Sequence, residues 1–242
     1  MRKNPRDTIE KLINERYKDA KTIFWAGSVS KDQGTDASDL DLIIIYRQVE
    51  HAYREAFIYD GWPIDSFIHD PETLSYFFEK IESKDGRPAL ILMILHGVEI
   101  LGENDFSRSI KDLAQKTLNA GPDVWTKEII NKERFLITDI LDDIKFSKTQ
   151  DEQMTSAAHL FEPLIQFYFR SQNKWTASGK TLIRNLKNEN PALAAEYIQC
   201  FTSLFQIGDS TKLQSLVEKI LKPYGGLLWD GFRSDAPKEW RK

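Results

Sequence analysis

The first hundred residues carry hydrophobic patterns of both the helical and the extended period. Apolar residues between Ile9 and Tyr17 recur at spacings of three and four, which predicts an amphipathic helix. The β-branched run 43–45 predicts a buried strand, and Asp-Gly at 60–61 between two apolar segments predicts a hairpin. Residues 49–55 fit either a short helix or a strand. The predicted elements of this half are helices at 6–20, 71–83 and 89–95, strands at 23–25 and 39–45, hairpin arms at 56–59 and 63–69 around a turn at 60–62, and a short edge strand within 96–102.

The rest of the chain shows helical periodicity only. From Asn104 onward no segment alternates as a half-buried strand would, and a turn at 120–122 interrupts the pattern. The predicted helices lie at 106–119, 123–147, 151–172, 178–188, 191–206 and 210–222. These patterns predict an α+β chain, in which a sheet-containing domain over 1–104 precedes an α-helical bundle over 105–242.

Composition and charge narrow the class of protein. The chain has 242 residues, of which 41% are hydrophobic and 29% charged, as is typical of globular proteins with one or two domains. Its formal net charge of −4 argues against a nucleic-acid polymer as the main partner, because such binders usually present a basic surface. Cys200 is the single cysteine, the N-terminus lacks an apolar signal core, and the longest apolar run, Ala89–Leu95, is too short to span a bilayer. We therefore expect a cytoplasmic protein without a membrane partner.

Two aspartates stand one residue apart at the start of the predicted strand 39–45. Because side chains alternate along a strand, Asp39 and Asp41 point to the same face. Two carboxylates about 4 Å apart repel each other by about 4 kcal/mol at an effective dielectric of about 20. Such a pair persists where water solvates it or a divalent cation binds it, and hard oxygen ligands suit Mg²⁺ together with substrate phosphates. Upstream, Gly27 would let the backbone approach a phosphate and Ser28 would offer a hydroxyl and an N–H; a simple strand-to-loop turn is the alternative.

This stretch resembles the signature of the polymerase-β-type nucleotidyltransferases. Gly27-Ser28, ten intervening residues and then Asp39-Leu40-Asp41 leading into an aliphatic strand carry the resemblance. The layout is similar to that of the small two-domain enzymes of the kanamycin and lincosamide nucleotidyltransferase kind. The resemblance implies a catalytic domain over 1–104, with a mixed β-sheet flanked by helices, and a helical domain over 105–242. It also implies that the two aspartates bind catalytic Mg²⁺ and that the Gly-Ser bend binds the nucleotide phosphates.

In that family a third carboxylate, on a strand beside that of the aspartate pair, completes the metal site. The resemblance assigns this role to Asp65, which lies between apolar residues in the second arm of the predicted hairpin. A solvent-facing place on the polar side of an edge strand is the alternative for Asp65. Asp60 and Asp70 compete for the role, but each falls in a turn, where aspartate is expected for local reasons.

The helical half contributes two further candidates. Lys180 falls in the first turn of the predicted helix 178–188, where the macrodipole disfavours a cation unless an anion binds there. Several two-domain relatives place a lysine here, facing the triphosphate; a solvated surface lysine is the alternative. Glu162 lies among apolar residues of the predicted helix 151–172. The resemblance implies that Glu162 faces the cleft between domains as a general base for an acceptor hydroxyl, and a partly exposed or salt-bridged helix residue is the alternative.

The combined prediction is a Mg²⁺-dependent enzyme that transfers a nucleoside monophosphate, AMP in the first instance, from an NTP such as ATP to a hydroxyl of a small molecule. An antibiotic is one acceptor that the resemblance suggests. The residues assigned to the site are Asp39, Asp41 and Asp65 for the metal, Gly27, Ser28 and Lys180 for the nucleotide, and Glu162 for the acceptor hydroxyl. The alternatives are a nucleotide-sensing or partner-regulating module of the same fold without turnover, and transfer to a protein hydroxyl. Base preference and oligomeric state do not follow from the sequence.

Overall fold

The computed structural model describes residues 2–31 and 33–236. Its contacts divide the chain into two compact units, Met1–Pro122 and Asp123–Lys242. The first unit contains a β-sheet with helices, and the described part of the second is helical. The predicted α+β class, a sheet region followed by helices, is confirmed. No helix within the described ranges has the length and hydrophobicity needed to cross a membrane.

A five-stranded mixed sheet forms the centre of the first unit. Its strands are β1 (Thr22–Ala26), β2 (Leu40–Ile45), β3 (Tyr53–Tyr59), β4 (Trp62–His69) and β5 (Val98–Glu99). They lie in the order β3-β4-β2-β1-β5, with β2 and β4 parallel and the other neighbours antiparallel. The sheet therefore sets the strand that carries Asp41 directly beside the strand that carries Asp65.

The hairpin of β3 and β4 turns on Asp60 and Gly61 alone. Both residues have positive φ, 47° and 83°, which is the conformation that a two-residue type I′ turn requires. The sequence pattern places Trp62 in the turn, whereas in the structure Trp62 begins β4 and pairs with Tyr59. The indole of Trp62 is buried and donates its N–H to the carbonyl oxygen of Lys3 at 2.9 Å. Because this ring is buried, β4 begins one residue earlier than predicted and the turn is one residue shorter.

Helices cover the sheet of the first unit. They are α1 (Pro5–Arg16), α2 (Pro71–Tyr76), α3 (Ser83–Asp85), α4 (Ala89–His96) and α5 (Asp105–Ala120), with a π-helical turn at Phe77–Glu82 between α2 and α3. The apolar face of α1 joins one core with alternate residues of β2, among them Leu42 and Ile44. α1 ends before the predicted 20, because Tyr17 leaves the helical conformation and donates its hydroxyl to Glu55 at 2.7 Å.

α5 belongs to the first unit by its contacts. It packs against α4, and its Ile110 and Ala114 are fully buried. Asn104 caps it through a reciprocal capping box with Ser107. The contacts divide the chain after Pro122, one helix later than the boundary at 104 that the sequence suggests, because the helical period of α5 does not reveal which core its apolar face joins.

The described part of the second unit is a group of helices around one apolar core. Its helices are α6 (Lys127–Phe146), α7 (Gln150–Arg170), α8 (Gly179–Glu189), α9 (Pro191–Ile207) and α10 (Thr211–Leu221), followed by a 3₁₀ turn at Lys222–Tyr224. α6 and α7 pack along each other, and their fully buried Ile137, Leu141, Leu160 and Leu164 join the core. α6 begins later than the predicted 123, because Thr126 caps it by accepting the N–H of Ile129.

Candidate functional site

Neighbouring strands bring three aspartates together in the first unit. Asp41 in β2 is directly paired with Asp65 in β4, so both side chains leave the same face of the sheet. Asp39 stands two residues before Asp41, just ahead of β2. One carboxylate oxygen of each residue lies within 4.8 Å of those of the other two. Asp65 is buried and the other two are half-buried. We call Asp39, Asp41 and Asp65 the acid triad.

Gly27 brings the backbone after β1 against the acid triad. Ala26, the last residue of β1, is paired with Asp41, and Gly27 then turns the chain with φ of +80°. A Cβ atom at Gly27 would lie 2.0 Å from Oδ2 of Asp41. The left-handed φ and the carboxylate that fills the place of a side chain both require glycine here.

Ser28 is connected to the residue that precedes the acid triad. Its Oγ lies 3.2 Å from Oγ of Ser38, the neighbour of Asp39 in the chain. Oγ of Ser38 also accepts the backbone N–H of Thr35 at 2.8 Å. Ser38 thereby joins both ends of the loop 28–38. The Gly-Ser bend and the acid triad accordingly form one corner of the first unit.

Arg54, which the sequence analysis did not single out, binds the third acid. Its Nε donates to Oδ1 of Asp65 at 2.7 Å, and its Nη2 donates to Oδ2 at 2.6 Å. Arg54 pairs with Phe67 across the β3–β4 ladder, two pairs beyond Ala56, which stands opposite Asp65, and therefore on the same face of the sheet. The small side chain of Ala56 leaves the diagonal path open for the guanidinium. The Arg54 side chain is 64% exposed and that of Asp65 is 11% exposed, and the guanidinium lies 4.8 Å from the ring centroid of Phe67.

The charges of this group fit a divalent cation. The acid triad carries three formal negative charges, and Arg54, which binds Asp65, carries one formal positive charge. The pKa of Arg54 is raised above its ordinary value, first by the hydrogen bond to Asp65 and further by the charges of Asp65, Asp41 and Asp39. The guanidinium therefore interacts electrostatically with all three aspartates. Converging carboxylate oxygens are the ligands that Mg²⁺ and Ca²⁺ prefer, so the donor set fits the metal that the sequence implies.

The two competing aspartates have local structural partners. Asp60, in the hairpin turn, accepts from Nζ of Lys3 at 3.0 Å and from Nζ of Lys11 at 3.3 Å. Asp70 caps α2 by accepting the N–H of Thr73 at 2.8 Å. The position of each is explained by the turn or helix end that it stabilises, as expected from its place in the sequence.

Glu162 and Lys180 lie in the second unit. Glu162 is half-buried on α7, where it accepts a hydrogen bond from Nε2 of Gln166 at 3.3 Å. The same nitrogen donates to the carbonyl oxygen of Ala177 at 2.8 Å, just before α8. Lys180 is exposed in the first turn of α8, and Ser178, at the N-cap, makes no side-chain capping bond. The roles assigned to Glu162 and Lys180 stay predictions.

Comparisons with known proteins find a structural similarity without a sequence match. No protein-family model and no curated protein sequence match the chain. Among solved structures, the chain is similar to a nucleotidyltransferase-like protein from Exiguobacterium sibiricum, with 13% sequence identity and a TM-score of 0.47. The match covers 91% of this chain and 74% of that protein. Identity and TM-score are too low to transfer an activity to this chain.

Proposed function

We propose that this chain is a metal-dependent nucleotidyltransferase, which transfers a nucleoside monophosphate from an NTP to a hydroxyl acceptor. The observation that carries the proposal is the convergence of Asp39, Asp41 and Asp65 within 4.8 Å of one another. The close approach of the Gly27 backbone to Asp41 supports it, because triphosphate oxygens and carboxylates must meet around shared cations in this reaction. The resemblance of the Gly-Ser and Asp-Leu-Asp stretch to polymerase-β-type enzymes points to the same chemistry.

Each residue then has a defined task. Asp39, Asp41 and Asp65 would hold Mg²⁺, which when bound neutralises triphosphate charge and acidifies an acceptor hydroxyl. Ser28, with its N–H and hydroxyl next to the acid triad, would bind phosphate oxygens. Lys180 would add a positive charge for the leaving group, and Glu162 would accept the hydroxyl proton.

The proposed reaction forms one bond to the α-phosphorus and breaks one, and it moves one proton. The acceptor oxygen bonds to the α-phosphorus, the bond from that phosphorus to the oxygen bridging to the β-phosphate breaks, and pyrophosphate leaves with the bonding electron pair. The acceptor proton passes to a base. ATP as donor and a small molecule such as an aminoglycoside or lincosamide antibiotic as acceptor are the first pair to examine, and a protein hydroxyl is the second kind of acceptor.

The test is transfer of an α-labelled nucleotide. Wild-type protein is incubated with labelled NTPs, Mg²⁺ and a panel of acceptors that includes a cell extract, and labelled adducts are identified by mass spectrometry. Asp41→Asn should lower adduct formation on the order of 100-fold or more, since a site that stabilises transferring charge loses about that much with one group. Asp36→Asn is the matched control, because it removes the same charge from an exposed position in the same loop.

Two outcomes would contradict the proposal. Adduct formation by Asp41→Asn at the rate of Asp36→Asn would exclude the acid triad from the reaction. Nucleotide binding by the wild-type protein without an adduct on any acceptor would favour the nucleotide-sensing alternative.

A further inference from the structure

Arg54 donates hydrogen bonds to both carboxylate oxygens of Asp65, the third acid of the triad. We propose that Arg54 is the resident counter-cation of the acid triad and competes with the divalent metal for Asp65, so that metal binding requires the guanidinium to release Asp65 at least in part. The inference rests on the proposed metal site. It concerns how that site exchanges one cation for another.

The hydrogen bonds make the competition direct. Asp65 reaches Asp39 and Asp41 with one of its two carboxylate oxygens. Both oxygens accept from Arg54, at 2.7 and 2.6 Å, so the shared oxygen is already bonded to the guanidinium whichever of the two it is. A metal ligated by that oxygen would therefore have a positively charged donor on its own ligand atom. Bidentate pairs of an arginine and a carboxylate are among the strongest hydrogen-bonded pairs of side chains.

The surroundings of Arg54 allow it to leave. Its side chain is 64% exposed, so a displaced guanidinium is hydrated rather than buried. Phe67 offers a surface for it, since the guanidinium already lies 4.8 Å from the centroid of that ring. Asp65, by contrast, is held by β4 and is 11% exposed, so the arginine is the partner that moves.

Competition and positioning predict opposite results when Arg54 is removed. If Arg54 only oriented Asp65 for the metal, its loss would weaken metal binding by about 10–100-fold, as with other outer partners of metal ligands. If Arg54 competes, its loss frees both oxygens and removes a like charge from beside the cation. Metal affinity should then rise by about tenfold, the range set by a hydrogen-bonded charge pair.

Mn²⁺ titration distinguishes the two without any turnover. Free Mn²⁺ is counted by electron paramagnetic resonance in the wild-type protein, Arg54→Gln, Asp65→Asn and the control Arg16→Gln. Arg16 is a close match for Arg54, because its guanidinium also lies over an aromatic ring of the β3–β4 hairpin, 4.2 Å from that of Phe57. Arg16 belongs to α1, however, which packs on the opposite face of the sheet from Asp41 and Asp65. We expect about tenfold tighter Mn²⁺ binding for Arg54→Gln, wild-type affinity for Arg16→Gln, and loss of the site in Asp65→Asn. Arg54→Lys keeps the positive charge but cannot form the bidentate hydrogen bond, so its Mn²⁺ affinity should lie between those of the wild type and Arg54→Gln.

The outcomes separate this inference from the proposed function. Unchanged or weaker Mn²⁺ binding by Arg54→Gln would overturn the competition, and so would an equal gain in Arg16→Gln, which would indicate a general effect of net charge. Undiminished Mn²⁺ binding by Asp65→Asn would show that Asp65 does not ligate the metal, and the proposed metal site would then be wrong. Tighter binding by Arg54→Gln in a protein that transfers no nucleotide would uphold the competition while the proposed reaction fails. Circular dichroism of each variant checks that the fold is retained.

Discussion

Replacing Gly27 by alanine is expected to disable the site while the fold survives. The added Cβ would lie 2.0 Å from Oδ2 of Asp41 and 3.0 Å from its Cγ. Non-bonded atoms of this kind prefer separations of about 3.5 Å, so the carboxylate must retreat by more than about 1 Å. A displacement of about 1 Å at a reacting centre lowers rates on the order of 100-fold.

The loss of stability should be modest by comparison. A residue with a Cβ atom at φ of +80° is strained by about 1–2 kcal/mol. The clashing atom is the end of a side chain, so rotation of Asp41 relieves the contact without moving β2. The variant should therefore unfold cooperatively, slightly earlier than wild type, with its acid triad broken.

Gly102→Ala separates backbone strain from the clash. Gly102 has the same φ of +80°, and a Cβ atom there would meet nothing within 4 Å. Urea unfolding should show similar losses of unfolding free energy for both variants. Labelled-nucleotide transfer should fall on the order of 100-fold only in Gly27→Ala, and Mn²⁺ binding should weaken only in that variant. Equal transfer by the two variants would refute the argument that Gly27 is required by the position of Asp41.

Two further predictions concern a buried acid and the loop that ends at the site. Burial raises the pKa of Glu82 from 4.5 to about 7, although its carboxylate accepts the N–H of Leu90 and of Ile91. The folded state therefore binds this proton more tightly than the unfolded state, and the stability it contributes is full below about pH 4.5 and falls by about 3 kcal/mol as the pH rises to about 7. Glu82→Gln should flatten that decline in urea unfolding at about pH 5 and pH 8, and an unchanged difference between the two pH values would contradict the assignment. Ser38→Ala removes the hydroxyl that holds Ser28, so the KM for NTP should rise by about 5–10-fold with a loss of unfolding free energy near 1 kcal/mol; a wild-type KM would show that Ser38 does not support phosphate binding.

Most elements could be predicted because their information is local. The β-branched residues of β2 and the helical spacing of apolar residues in α6 and α7 favour one secondary structure each, and the structure has those elements within a few residues of the predicted ends. The convergence of Asp41 and Asp65 followed from the resemblance together with alternation along two strands, and the parallel pairing of β2 and β4 provides it.

Arg54 was missed for an identifiable reason. The sequence pattern leaves residues 49–55 open between a short helix and a strand, so it does not place Arg54 in the hairpin. A three-residue turn that includes Trp62 would also shift the register of β3 by one residue and send its side chains to the other face. The signal was present, because Asp-Gly favours a two-residue turn. Counting outward from that turn sets Ala56 opposite Asp65 and Arg54 two pairs further, on the same face.

The sequence alone determined the class of fold, the strands and helices, and the acids to examine, since periodicity, turn residues and a short motif act over a few neighbouring residues. The tertiary structure decided what those acids contact. Three features depend on register and packing between segments that are distant in the chain. They are the bidentate hydrogen bond of Arg54 to Asp65, the contact that excludes a side chain from Gly27, and the membership of α5 in the first unit. Such contacts produce no periodic pattern in the sequence, because each depends on where a second segment lies in space.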